Sequence, residues 1–252
     1  MKQAKRMKKV ILILVLSSVF IYGYSQESSL YQNGLTAEQN LIAIGKLAPY
    51  SAGAVGYDTR YEGVKGSPAL FEKFLPSDFI VSGQKNYLRG DINLELQANY
   101  LLIKNPSTGK TMAIPSKMIS EVKVKASDSL LVFRVSKINE FEREIKDGRF
   151  YQLIRDGRFT FIKLPFKKMI EADYKAAYSA DRRYDEYVTY YKYYVRGTDS
   201  IFHQVQLSKR SLAKLFPDRK DDINLTAESF TGSNDEELVK AILAKLESKY
   251  TP

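Results

Sequence analysis

The stretch that decides the fold is residues 150–164, which read Phe150-Tyr-Gln-Leu-Ile-Arg-Asp-Gly-Arg-Phe-Thr-Phe-Ile-Lys-Leu164. Apolar and polar side chains alternate on both sides of Asp156-Gly157, and a period of two is typical of strands with one buried face. An Asp-Gly pair between two such runs favours a hairpin with a type I′ turn, because glycine tolerates positive φ. The segment therefore predicts two antiparallel strands, at 150–155 and 158–164.

Runs of the same kind lie on both sides of this hairpin. Asn105-Pro-Ser-Thr-Gly-Lys110, Ala126-Ser-Asp128 and Arg196-Gly-Thr-Asp199 are turns by composition. The first of them is not a phosphate-binding loop, because Lys104 stands where such a loop requires glycine. The flanking runs predict further strands at 87–96, 100–104, 111–115, 119–124, 130–135, 187–195 and 201–207.

Helices are predicted at both ends of this β region. Thr36 and Gln39 form a capping-box pattern, which predicts a helix at 37–47. From residue 208 the apolar period changes from two to 3.6, which predicts a helix from Ser208 to Pro217 and a weaker one at 219–229. A second capping box, Ser233 to Glu236, opens a helix whose apolar face is Leu238, Val239, Ile242, Leu243 and Leu246.

These elements predict an α+β, mainly β fold: an antiparallel curved sheet or partly open barrel followed by C-terminal helices. We expect a signal peptide at 1–25 and an N-terminal short helix with a glycine-rich irregular segment at 26–77. An antiparallel β domain at 78–207 and helices at 208–252, packed on that domain, complete the chain. Residues 45–67 hold five of the fourteen glycines, a density that disfavours helices and strands.

The N-terminus has the order of a secretory signal peptide. Five lysines and arginines precede an apolar run, Val10 to Tyr22, and the small residues Gly23 and Ser25 follow. The alternative is an uncleaved anchor, but the run is shorter than the ~20 residues of a spanning helix. We therefore expect export and cleavage after Ser25, which leaves a periplasmic or envelope-associated protein without a transmembrane span. It is not a lipoprotein, since the chain has no cysteine.

Composition excludes several kinds of site. Five of the 39 basic residues lie in the leader, so 34 basic residues face 29 acidic ones in the rest of the chain. That excess is spread along the sequence, whereas nucleic-acid binding needs a concentrated basic face, so we predict no nucleic-acid partner. Without cysteine there is no thiolate site or disulfide, and a single histidine gives no metal-binding spacing. We predict no cofactor and no metal; the oligomeric state stays open.

Catalytic candidates are few. His203 is the only histidine, and its place in an alternating strand favours a packed or edge residue over a member of a triad. Paired carboxylates hydrolyse glycosidic bonds without histidine. Both acidic clusters are interleaved with Lys and Arg, as on a solvated surface; they are Glu140, Glu142 and Glu144, and Asp181, Asp185 and Glu186. We predict no catalytic residue and favour a protein that is not an enzyme.

Tyrosine is the most informative residue type, with 18 copies against no tryptophan. In an alternating strand Tyr187, Tyr191 and Tyr193 face one way and other tyrosines face the other, so we expect one set to be partly exposed. Tyrosine combines contact area with a hydroxyl, which suits protein or glycan contacts, although a sheet face built from a good strand former is the plainer interpretation. With Tyr57 and Tyr61, these three are the predicted binding residues.

Two stretches and the short strands between them carry a resemblance. They are Tyr-Glu-Gly-Val-Lys-Gly-Ser-Pro at 61–68 and Leu207-Ser-Lys-Arg-Ser-Leu-Ala-Lys-Leu-Phe-Pro-Asp218 before a terminal helix. The chain resembles a group of exported, periplasmic-type proteins of Bacteroidota-like bacteria over most of its length after the leader. The resemblance implies export; it implies no assigned activity and no catalytic residues.

Three functions are compatible with the sequence. The leading hypothesis is a non-enzymatic envelope protein that binds another protein or an envelope polymer such as a glycan. A carboxylate-dependent hydrolase of envelope glycans requires two acidic side chains roughly 5–10 Å apart in one cleft. A carrier of lipid or another apolar ligand requires a sizeable apolar cavity.

Overall fold

The computed structural model describes residues 35–51, 64–105, 108–143, 145–172 and 184–249, so the leader, Tyr57 and Tyr61 lie outside the described residues. The strands are β1 (Leu75–Val81), β2 (Leu88–Glu95), β3 (Tyr100–Lys104), β4 (Thr111–Pro115), β5 (Ile119–Ala126), β6 (Ser129–Val135), β7 (Phe150–Arg155), β8 (Thr160–Ile170), β9 (Glu186–Arg196) and β10 (Phe202–Val205). The α-helices are α1 (Ala37–Gly45), α2 (Lys209–Leu215), α3 (Lys220–Ser229) and α4 (Asp235–Ser248).

All ten strands belong to one antiparallel sheet, in the order β10-β9-β8-β7-β6-β5-β1-β2-β3-β4. The sheet is not closed, and β10 and β4 form its two edges. The predicted fold class is therefore confirmed: a mainly antiparallel β protein with helices at its C-terminal end. The first strand begins at Leu75, slightly before the predicted start of the β region at residue 78.

The link between β4 and β5 shows that the first half of the sheet is strongly curved. Only the 3-10 helix Ser116–Met118 joins the two strands. In a flat sheet they would lie four strand spacings apart, about 19 Å in all. The four peptide steps from Pro115 to Ile119 span at most ~14 Å even when fully extended. Strands β1–β4 therefore curl until β4 approaches β5.

The curled half and α1 share one core cluster. Asn40 fixes α1 to β2, because its side chain bonds both backbone groups of Arg89 at 2.7 and 2.8 Å. The predicted capping box is confirmed: the Thr36 hydroxyl accepts from the Gln39 N–H, and the Gln39 side chain accepts from the Thr36 N–H. The buried members of this cluster include Ile44, Phe79, Ile92, Leu94, Leu101, Ile103, Ile114, Val122, Val124 and Phe133.

The second half of the sheet, strands β7–β10, is buried on both faces. One face packs against α2–α4 in a cluster that includes Phe161, Val195, Val205, Leu212, Ile223, Val239, Ile242, Leu243 and Leu246. The other face lies under the connection 136–149, and its cluster consists of Phe141, Tyr151, Ile162, Leu164, Tyr194 and Phe202. None of the helices in the described ranges is long and apolar enough to span a membrane.

Two local predictions were wrong in detail. The cap of α4 is Asn234, whose side chain accepts from the Glu236 N–H at 2.8 Å, and not Ser233. The hairpin at 150–164 is present, but its turn is not type I′, because Gly157 has positive φ and Asp156 does not. Glu247 of α4 reaches into this turn and accepts hydrogen bonds from Arg155 and from the Arg158 N–H. This contact holds the turn in a wider form, and β8 begins only at Thr160.

Candidate functional site

The three described tyrosines of the predicted binding set have different surroundings. Tyr187 is buried beside Gly66. Tyr193 stacks on Phe161, and its hydroxyl donates to Glu236 Oε1 at 2.6 Å. Tyr191 is 46% exposed, and Lys163 Nζ lies 4.3 Å from the centre of its ring. Of these three, only Tyr191 presents much of its ring to solvent, and a role for any of them in binding stays a prediction.

Glu236 joins α4 to the sheet. Its Oε1 accepts from Tyr193 and lies 2.6 Å from Lys163 Nζ, with the Lys163 and Glu236 side chains only 19% and 23% exposed. Burial, and then the hydrogen bond to Glu236, raise the pKa of Tyr193. The contacts of Glu236 with Tyr193 and Lys163 therefore hold α4 on the sheet, and these polar groups are engaged with one another.

A cleft of about 360 Å³ opens beside the connection 136–149, where the curled half of the sheet meets the second half. Its volume lies at the small end of the range for ligand sites. Its lining is mostly polar and charged, and comprises Ser82, Lys117, Ile119, Ser120, Arg134, Val135, Ser136, Lys137, Glu140, Asp147, Tyr151, Thr160, Arg196 and Phe202. The lining is not the apolar wall that a lipid carrier requires.

Strand register brings the deeper cleft residues together. Arg134 of β6 is paired with Tyr151 of β7, and Arg196 of β9 is paired with Thr160 of β8 on one side and Phe202 of β10 on the other. Directly paired residues in an antiparallel sheet share a face. Strands β6–β10 thus supply one surface, and the connection 136–149 borders it.

Two of the four basic side chains in the lining are matched by carboxylates. Lys117 Nζ lies 3.0 Å from Asp147 Oδ2. Arg134 Nε lies 2.9 Å from Glu121 Oε2, and Arg134 Nη2 lies 3.2 Å from Asp156 Oδ2. These three ion pairs hold Lys117 and Arg134 in place in the lining.

Glu121 sits at the centre of a wider polar network on this surface. Burial raises the pKa of Glu121, but hydrogen bonds from Tyr87 and Arg134 lower it by more than burial raises it, so the net shift is downward. The Tyr87 hydroxyl donates to Glu121 Oε1 at 2.7 Å, and Lys123 Nζ lies 4.4 Å from the centre of the Tyr87 ring. Glu121 therefore stays ionised and keeps Arg134 oriented.

Arg196 and Lys137 have no carboxylate partner within the described part of the chain. Arg196 Nη2 donates to Thr160 Oγ1 at 3.2 Å, and its guanidinium lies 4.9 Å from the centre of the Phe202 ring. A guanidinium has five N–H donors, and most of those on Arg196 bond no residue in the described ranges. Lys137 is exposed at the edge of the cleft, and Glu140 Oε2 accepts from its backbone N–H at 3.0 Å.

The Tyr151 hydroxyl opens into the same cleft. Tyr151 is 7% exposed, and its ring packs against Phe141 and Phe202. Tyr151 lines the cleft, and no hydrogen bond joins its hydroxyl to a described residue. Burial, and then the charge of Glu140, raise the pKa of Tyr151 to about 12, so it is a hydrogen-bond donor at neutral pH.

The acidic clusters are engaged by protein groups wherever the structure describes them. Glu140 accepts from a backbone N–H, Glu142 bonds His203, and Asp185 accepts from the Ala172 N–H at 2.7 Å. Glu186 Oε1 lies 3.3 Å from Lys65 Nζ. Glu144 and Asp181 lie outside the described residues. Among described side chains no group of three or more His, Asp or Glu could hold a metal ion.

His203 is held between two carboxylates. Its Nε2 lies 2.5 Å from Asp199 Oδ2, and its Nδ1 lies 3.2 Å from Glu142 Oε2. Burial lowers the pKa of His203, but the hydrogen bonds to Asp199 and Glu142 raise it more, so the net shift is upward. A histidine with both nitrogens donating to carboxylates is an ion-pair partner, and the contact ties the connection 136–149 to β10.

Comparison of the chain with protein-family models, with curated proteins and with solved structures finds no match in any of the three. The resemblance to exported proteins of Bacteroidota-like bacteria therefore stays an expectation.

The sequence did not single out the cleft residues Arg134, Tyr151 and Arg196. Arg134 interrupts the otherwise apolar run Leu130–Val135, and a lone arginine in a buried-type strand is a signal that could have drawn attention. Arg196 opens Arg196-Gly-Thr-Asp199, whose composition predicts only a turn. Tyr151 carried no signal of its own, because its importance depends on which residues the sheet places beside it.

Proposed function

We propose that this chain is a non-enzymatic binding protein of the cell envelope and that the cleft holds its ligand. The observation that carries the proposal is that both carboxylates in the lining already bond groups of the protein. Asp147 is paired with Lys117, and Glu140 accepts from the Lys137 N–H. A general acid or base must be within reach of substrate protons, whereas engaged carboxylates keep a binding site in shape.

The polar lining also favours binding of a polar ligand. Serines, a threonine, a tyrosine hydroxyl and charged groups supply donors and acceptors on several sides of the cleft. Such convergent polar groups fix the orientation of a bound molecule. The assignment to the envelope rests on the leader-like order of residues 1–25, and the ligand is accordingly an envelope polymer or a group displayed by an envelope protein.

The test is crosslinking and affinity co-purification of residues 26–252, the mature form expected after cleavage, from the native envelope. Ser120 lines the cleft and is exposed, so Ser120→Trp fills the cleft from its rim. Ser129→Trp is the matched control, because Ser129 is exposed and does not line the cleft. We expect the wild type and Ser129→Trp to capture the same species, and Ser120→Trp to lose it.

Equal capture by Ser120→Trp would contradict the proposal. The exposed ring of Tyr191 provides the comparison with the surface that the sequence favoured. Loss of capture in Tyr191→Ala, with capture retained in Ser120→Trp, would move the binding site from the cleft to the strand β9.

A further inference from the structure

We propose that the group which the cleft recognises is a compact oxyanion, a carboxylate or a phosphate, bound by Arg196 with the Tyr151 hydroxyl as a second donor. This inference rests on the proposed function and names the chemistry of the ligand. The cleft measures about 360 Å³, which is enough space for a sugar that carries such a group.

The charge of the lining is the first argument. Four basic and two acidic side chains line the cleft. Arg134 and Lys117 are already paired with carboxylates, so Arg196 and Lys137 are opposed in the lining only by the carboxylate of Glu140, and an excess of positive charge remains. A half-buried guanidinium without a counter-charge is costly to desolvate. An anion from outside the chain would supply the missing charge.

The geometry of Arg196 is the second argument. Its hydrogen bond to Thr160 and its position over the Phe202 ring fix the plane of the guanidinium before any ligand arrives. A planar fork of N–H donors matches the two oxygens of a carboxylate or a phosphate. Because the side chain is already ordered, little conformational entropy is lost when a ligand binds.

Tyr151 supplies the third argument. Its hydroxyl has no partner among described residues and keeps its proton at neutral pH, so it donates to an acceptor in the cleft. The carboxylates of Glu140 and Asp156 and the guanidinium groups of Arg134 and Arg196 all act electrostatically on this hydroxyl, so charges of both signs lie around it. An oxyanion accepts from a neutral hydroxyl and a guanidinium together, and a cationic ligand would be repelled by the second of these.

The experiment is a titration of residues 26–252, followed by amide chemical shifts, with three sugars of one size: glucose, glucuronate and glucose 6-phosphate. Glucose is neutral, glucuronate carries a carboxylate, and glucose 6-phosphate carries a phosphate. We expect at least one of the acidic sugars to shift the amides of Tyr151, Thr160 and Arg196, and glucose to leave them unchanged. A response to glucuronate alone identifies a carboxylate, and a response to glucose 6-phosphate alone identifies a phosphate.

Variants separate recognition from folding. Arg196→Gln should weaken binding of the acidic sugar by about tenfold or more, since it removes a charged hydrogen-bonding partner. Tyr151→Phe removes only the hydroxyl, so binding should fall several-fold while thermal stability stays unchanged. Arg210→Gln is the control, because Arg210 is exposed on α2 and outside the lining; it should bind like the wild type.

The outcomes distinguish this inference from the proposed function. Equal shifts with glucose and the acidic sugars at the cleft, insensitive to Arg196→Gln, would overturn the oxyanion and leave a binding cleft. Absence of shifts with all three sugars would also overturn it, and the capture experiment with Ser120→Trp would then decide alone whether the cleft binds.

Discussion

Replacing Glu236 by glutamine tests how α4 is held on the sheet. Lys163 Nζ and the Tyr193 hydroxyl both lie 2.6 Å from Glu236 Oε1. Glutamine keeps the size of the side chain and one acceptor oxygen but removes the negative charge. Lys163 then loses its counter-charge at a site where it is only 19% exposed.

The expected cost lies between two limits. Breaking a fully buried ion pair costs about 3–5 kcal/mol, whereas an exposed pair contributes about 0–1 kcal/mol. With both side chains about one-fifth exposed, we expect Glu236→Gln to lower the free energy of unfolding by about 1.5–3 kcal/mol. Glu237→Gln is the matched control: Glu237 lies in the same first turn, is exposed, and pairs with Lys240 at the surface. The helix-dipole contribution largely cancels between the two variants.

Urea unfolding of both variants gives the comparison, and we expect Glu236→Gln to be less stable than Glu237→Gln by at least about 1 kcal/mol. A second measurement follows the Tyr193 ring by NMR as pH rises. Because Glu236 helps to raise the pKa of Tyr193, that pKa should fall in Glu236→Gln and stay unchanged in Glu237→Gln. Equal stabilities, or a Tyr193 pKa that does not move, would refute the role of this contact in docking α4.

Two further predictions concern stability. The pKa of His203 is raised above its unfolded value of about 6.5, so its ion pairs with Asp199 and Glu142 stabilise the protein fully below that pH and are lost as pH rises through the folded pKa. The stability advantage of wild type over His203→Gln, by urea unfolding, should be under about 1 kcal/mol at pH ~5.5 and smaller at pH ~8.5; an advantage that grows with pH would contradict this. Leu243 is fully buried, so Leu243→Ala should lower the free energy of unfolding by about 2–5 kcal/mol. Leu225 is 65% exposed, so Leu225→Ala should change the free energy of unfolding by no more than about 0.5 kcal/mol. Similar shifts in melting temperature for the two variants would contradict the assigned helix packing.

Local signals made much of the fold predictable. The strands at 100–104, 111–115 and 150–155 have the predicted limits, and the capping box at Thr36 has both of its hydrogen bonds. Each of these features depends on residues a few positions apart, so the sequence carries the information directly. The prediction of a type I′ turn was wrong because this turn depends on a residue far along the chain: Glu247 bonds Arg155 and the Arg158 N–H and holds the turn open.

The sheet order and the cleft were not predictable in this way. Pairing of β1 with β5 follows from curvature accumulated over four strands, which no local period encodes. The cleft is assembled from the turn after β1, the 3-10 helix, six strands and one connection, and most of them contribute one or a few polar residues that resemble ordinary surface in sequence. Only the register of Arg134 with Tyr151, and of Thr160 with Arg196, brings them together.

The pairing of β1 with β5 also has a consequence for how the chain acquires its structure. From β5 to β10 every strand pairs with its neighbour in sequence, so these contacts are of short range and form rapidly. β1 has to wait for β5, since Ser77 pairs with Val124 only after the whole of β2–β4 has been closed into a loop. We therefore expect the central seam of the finished sheet to be among the last pairings to form, with the hairpins of the second half already in place beside it.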